Sequence, residues 1–150
     1  MGFSLKNAVL AAAAFGLALA GPAAAQVPDP FARELAEGLA RVEHVLSDNG
    51  YQRAAGPFAG GLAERQGRRF PVTLRAGQDY RIVGVCDSRC ADLDLRLYDS
   101  NNVLVAQDVQ RDSVPVLHVR PQATGPHTIE VIMYQCRSAP CYFAFNVYSN

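Results

Sequence analysis

From Phe70 onward apolar and polar residues alternate with period two, and turn residues interrupt the alternation roughly every 8–12 positions. Residues two apart share one face of a strand, so this pattern admits little besides a set of short antiparallel strands. Phe70, Val72 and Leu74 alternate, and Arg75-Ala76-Gly77-Gln78 then turns. Pro71 lacks an N–H for a ladder, which puts this strand at an edge or at its own start. Tyr80, Ile82 and Gly84 interleave with Val83 and Val85, a strand apolar on both faces. Leu93, Leu95 and Leu97 alternate with Asp92, Asp94 and Arg96, the pattern of a half-buried strand with a solvated acidic face. Ser100-Asn101-Asn102 is a hairpin turn, and Val103–Ala106 returns from it. Val114–Val119, Thr128–Tyr134 and Tyr142–Tyr148 complete the set, with a turn at Gln122–Pro126. About seven short strands with no helix between them close most naturally as an all-β antiparallel sandwich.

Two segments precede the strands. From Gln26 to Asn49, Phe31, Leu35, Leu39, Val42 and Leu46 recur at helical spacing, with Glu34, Glu37, Arg41 and Glu43 mostly off that face. Asp29 is placed to cap this helix, Pro30 suits its first position, and Asn49-Gly50 ends it, so the helix occupies 26–50. An amphipathic helix of this kind docks on its own domain or offers its face to a partner or second subunit. Residues 51–69 are rich in Gly, Ala, Pro and Arg and read as a connector. A short strand at Phe58–Leu62 would carry the 70–150 sandwich back to about residue 58.

The first residues predict export. Lys6 precedes an apolar run, Ala8–Ala20, that is too short for a bilayer span of roughly 20 residues. Gly21-Pro22 and Ala23-Ala24-Ala25 complete a secretory signal peptide over 1–25, cleaved near Ala25. Lys6 is the sole lysine, so cleavage leaves thirteen arginines against fourteen acidic residues. A balance so near neutral argues against a nucleic-acid partner and against a polybasic membrane contact. Cys86, Cys90, Cys136 and Cys141 form two local pairs, C-x3-C and C-x4-C. In a periplasmic or secreted protein these read as disulfides Cys86–Cys90 and Cys136–Cys141. The rival four-cysteine zinc site sits poorly with oxidising conditions.

Three stretches occur in order: Leu74-Arg-Ala-Gly-Gln-Asp-Tyr-Arg-Ile, Asp92-Leu-Asp-Leu-Arg-Leu-Tyr-Asp99, and Thr124-Gly-Pro-His-Thr-Ile-Glu-Val131. Together they resemble the bacterial pre-peptidase C-terminal domain, over about residues 58–148. His127 stands where that family usually carries an aromatic. The resemblance implies a jelly-roll-like sandwich on a secreted protein, some relatives of which bind calcium or an extracellular polymer. A free-standing relative is expected, without the catalytic domain that such modules usually trail, and the four cysteines lie outside the family pattern.

Six aspartates, Asp87, Asp92, Asp94, Asp99, Asp108 and Asp112, crowd into 26 positions. Hard cations take carboxylate and carbonyl oxygens, so Asp87, Asp92, Asp94 and Asp99 are a candidate calcium site. The alternative is a solvated strand face with turn-capping carboxylates, neutralised by Arg89 and Arg96. His44, His118 and His127 show no metal-ligand spacing. Ser88 and Ser138 lie between paired cysteines, there is no G-x-S-x-G elbow, and no carboxylate pair spans an evident cleft. The chain therefore reads as no enzyme. Tyr98, Tyr134 and Tyr142, if gathered on one exposed face, would suit a carbohydrate or peptide; otherwise they are cross-strand packing. The expected function is a non-catalytic binding or accessory module for a protein or extracellular polymer, calcium-stabilised if the aspartates converge. Its alternative is an interaction protein that docks through the N-terminal helix.

Overall fold

The computed structural model describes residues 27–150. The signal peptide read in residues 1–25, and Gln26, lie outside the described residues. One helix, α1 (Asp29–Ser47), leads into eight strands: β1 (Gln52–Leu62), β2 (Gln66–Leu74), β3 (Tyr80–Cys86), β4 (Cys90–Tyr98), β5 (Leu104–Asp108), β6 (Val116–Val119), β7 (Gly125–Cys136) and β8 (Cys141–Ser149). They form two antiparallel four-stranded sheets, ordered β1-β8-β3-β6 and β2-β7-β4-β5. Each consecutive strand up to β4 and from β5 onward crosses to the opposite sheet. This is the double Greek key of a jelly roll.

The alternation read from the sequence is what fills the sandwich. Leu93, Leu95 and Leu97 of β4 meet Ile129, Val131 and Met133 of β7 on one inner face. Ile82, Phe143, Phe145 and Val147 supply the other. Phe58, Phe70, Phe143 and Phe145 pack at ring separations of 4.8–5.9 Å, closing the core at the β1–β2 side. Pro71 does lie on an edge strand, and Asn102 takes the positive φ (60°) of the β4–β5 turn.

The stretch read as a connector is strand instead. β1 lies along β8, and β2 begins at Gln66, so the sandwich starts at Gln52 rather than near 58. β1 is an edge strand with register shifts around Ala55, where a proline and glycines are tolerated. Gly56 is required there: its φ is +107°, and a Cβ would collide with the Asn146 side chain. At the helix start, Asp29 does not cap. Pro28 holds the N-cap position with extended backbone (ψ 146°), and Asp29 and Pro30 form the first turn. An acidic side chain there still suits the helix dipole.

α1 lies on the outer face of the β1-β8-β3-β6 sheet. Leu35 and Leu39 are buried against Val85 and Ala144, and Phe31 stacks on Tyr142 at 5.1 Å. Gly38 lets the helix approach, its Cβ position being 3.3 Å from Val85. The helix thus docks on its own domain.

Both expected disulfides are formed, Cys86–Cys90 and Cys136–Cys141. Each bridges a corner where the chain changes sheets, and Cys90 is the register partner of Cys136, so the two corners lie side by side. Such bonds mark an oxidising compartment, extracellular or periplasmic. No helix among the described residues is long and apolar enough to cross a membrane.

Candidate binding face

The four aspartates grouped by sequence proximity end in three different places. Asp87 stands in the Cys86–Cys90 corner, 1% exposed, and its carboxylate is fully engaged. Oδ1 accepts from the Arg89 backbone N–H at 2.9 Å and from Arg89 Nε at 3.0 Å. Oδ2 accepts from Arg89 Nη2 at 3.0 Å and from the Tyr142 N–H at 2.5 Å. Burial pushes this carboxyl up, but those hydrogen bonds outweigh it and hold it below the ordinary carboxylate range. Asp99 caps the β4–β5 turn, accepting from the N–H groups of Asn101 and Val103 at 2.9 Å each. Only Asp92 and Asp94 share a face. Among the described residues no three acidic, histidine or cysteine side chains converge as a ligand set. Of the four residues expected to form a calcium site, the fold brings only Asp92 and Asp94 together: the corner after β3 turns Asp87 onto Arg89, and the hairpin turn engages Asp99.

Asp92 and Asp94 are not the solvated face that their alternation suggests. Each is 5% exposed. They lie on the outer face of the β2-β7-β4-β5 sheet. Val109 and Arg111 of the β5–β6 loop line it together with Tyr134 and Gln135 of β7. That loop is held down by a hydrogen bond from the Leu93 N–H to the Asp112 carbonyl (2.9 Å) and by Arg111 Nη2 on Gln135 (3.3 Å). Burial, followed by the charge of Asp92, raises the Asp94 carboxyl to about 6, and burial raises Asp92 as well. Asp92 Oδ1 and Arg96 Nε are buried and find no hydrogen-bond partner in the protein. The cavity they face measures about 370 Å³, and Tyr134, 46% exposed, stands at its mouth.

The far end of the same face is ordered by a tight polar network that sequence reading did not single out. Arg69 Nε donates to Glu130 Oε1 at 3.1 Å, and Arg69 Nη1 to Asn102 Oδ1 at 2.9 Å. Tyr98 donates its hydroxyl proton to Glu130 Oε2 at 2.8 Å, and the Arg69 guanidinium lies 4.7 Å from the Tyr98 ring centre. Burial raises the Glu130 carboxyl, yet the Tyr98 and Arg69 hydrogen bonds bring it below its usual range. Arg69, Glu130, Arg96 and Gln107 are successive register partners across β2, β7, β4 and β5. The signal was present in part: Arg69, Arg96 and Glu130 occupy polar positions of period-two strands, with opposite charges on neighbours. The strand order needed to set them in one row was not.

The face therefore offers alternating donors and acceptors along one row, a carboxyl raised by burial to about 6, and an accessible aromatic edge. Tyr98 and Tyr134 both lie on it but toward opposite ends; Tyr142 does not, being stacked under α1 on the opposite sheet. Of the histidines, His118 bonds Asp79 (3.2 Å) and His127 bonds the Gly125 carbonyl (3.0 Å), both away from this face's cavity. Ser88 is held by Glu34 of the helix through its N–H (2.8 Å). No known protein family and no curated protein sequence matches the chain. Among solved structures it is similar to an acetyl xylan esterase from the rumen bacterium Butyrivibrio proteoclasticus, at 14% identity and a TM-score of 0.35. The match covers 67% of this chain and 31% of that one, so this chain spans less than a third of the esterase's length.

Proposed function

We propose that the protein is an exported, non-catalytic binding module. Its outer β2-β7-β4-β5 face would hold a polyhydroxylated extracellular polymer. The observation that carries this reading is the pairing of two unmatched buried polar atoms, Asp92 Oδ1 and Arg96 Nε, with a cavity edged by Tyr134. Buried polar atoms are almost always hydrogen-bonded, so an unmatched acceptor and an unmatched donor on residues that line one cavity favour a ligand that supplies both. A sugar hydroxyl does so, and its apolar ring face suits a tyrosine. Export rests on the leader read in residues 1–25 and on the disulfides. Binding without turnover accords with the placement of the acids: Asp92 and Asp94 are neighbours on one strand, whereas glycosidic cleavage uses carboxyls on opposite sides of the bond.

The test is retention of the purified protein on insoluble polysaccharides and on cell-wall sacculi, with Asp94→Ala and Tyr134→Ala as variants. Retention lost tenfold or more in both variants, with melting temperature unchanged in Tyr134→Ala, is the expected outcome. Equal retention of wild type and variants, or none on any polymer, would overturn the assignment.

A further inference from the structure

The helix covers only part of the sheet beneath it. Between α1 and the β6 edge a groove of about 520 Å³ remains open, within the ~300–1,000 Å³ of small-ligand sites. Val42 and Val45 of the helix form one wall, Val83 and Val85 of β3 the floor, and Val114 and Val116 the other wall. Val45, Val114 and Val116 are exposed, a concentration of valine that a solvated surface does not require.

The polar groups in this groove are unequal in sign. Arg41 and Arg81 line it together with one carboxylate, Glu34. Glu34 is already engaged, its Oε2 accepting from the Ser88 N–H at 2.8 Å and its Oε1 from the Ser88 hydroxyl at 3.4 Å. Arg81 has its guanidinium 5.3 Å from the Tyr51 ring centre, and its Nη1 is buried without a hydrogen-bond partner in the protein. A guanidinium with an unspent N–H is a receptor for a planar carboxylate.

We propose that this groove binds a medium- or long-chain alkyl carboxylate, the chain lying on the valines and the headgroup on Arg81, with Arg41 adding positive charge. The site is separate from the polymer-binding face, which is on the other sheet.

The test is a two-dimensional NMR titration of the signal-free protein with octanoate, decanoate and 1-octanol, each below its aggregation limit. Saturable shifts at Val83, Val85 and Val116 are expected, with affinity rising about two- to fourfold for each added methylene. Octanoate should bind at least tenfold more tightly than 1-octanol, and Arg81→Leu should bring the two together. Asp94→Ala should leave decanoate binding unchanged, which separates this site from the polymer face. If Arg81→Leu does not fold, the acid-against-alcohol comparison on the wild type decides alone. No saturable shift in the groove, equal binding of acid and alcohol, or binding of an apolar peptide but not of decanoate would overturn the proposal.

Discussion

Replacing Asp87 by alanine should be the most damaging single polar change outside the core. The carboxylate is 1% exposed and takes four hydrogen bonds, three from Arg89 and one from the Tyr142 backbone. Arg89 in turn lies over the Phe31 ring at 3.8 Å, so one carboxylate ties the disulfide corner to β8 and to the helix. Breaking a buried ion pair on one side costs about 3–5 kcal/mol. The Arg89 side chain is 26% exposed and can turn to water, which puts the expected loss at the low end, about 3 kcal/mol. For a domain of this size that corresponds to roughly 10–15 °C in melting temperature. Thermal unfolding followed by circular dichroism, with Arg89→Ala and the double variant completing a cycle, measures it. The double variant should lose at least about 1 kcal/mol less than the sum of the singles. The acid limb provides a second readout. Because the folded carboxyl titrates below the ordinary 3.8, its contribution is present above that pH and lost as pH falls through the folded value. Asp87→Ala should remove that loss. A drop in melting temperature below about 3 °C, or strict additivity with Arg89→Ala, would refute the reasoning.

Leu95→Ala, at a position with no exposure between the sheets, should cost about 2–5 kcal/mol in urea unfolding. Asp94 has its folded carboxyl raised from 3.8 to about 6, so the folded state holds its proton more tightly. Stability should therefore fall as pH rises from about 4 to about 6, and Asp94→Asn should flatten that slope in urea melts taken across the range. Removing Cys86–Cys90 by paired serine substitution opens a loop with a sequence separation of 4, so about 2 kcal/mol should be lost while the circular-dichroism spectrum stays that of a β-sandwich. Added calcium should leave the melting temperature within about 1 °C, since Asp87 and Asp99 are spent on Arg89 and on their own turn.

The strands that announced themselves were those whose own side chains alternate. Leu93, Leu95 and Leu97 declare β4 without any knowledge of neighbours, and Pro71 declares an edge. β1 was hidden because Ala54-Ala55-Gly56-Pro57 and Gly60-Gly61 carry almost no side-chain pattern. That strand exists through its pairing with β8, some ninety residues away along the chain. Jelly-roll order is likewise a long-range property, though local motifs pointed to it. The site was less legible for the same reason. Asp92 and Asp94 looked solvated because nothing local says that Arg111 and Tyr134 will close over them. Asp87 looked like their companion until the disulfide corner carried it to the rim. Glu130 and Arg69, 61 residues apart, become partners only when β2 and β7 are neighbours.

The two flanks of the sandwich differ in a way that bears on self-association. On one flank the free edges belong to β1 and β2, which carry Pro57 and Pro71 and, in β1, irregular register. On the other, the rim strand β5 begins beside the exposed Val103 and includes exposed Leu104 and Val105. Backbone zippering between copies is thereby steered to the one flank that β5 and β6 edge. A particle with one adhesive rim can meet its like across a two-fold axis, after which nothing is left to recruit a third, so crowding would yield closed pairs rather than growing fibres.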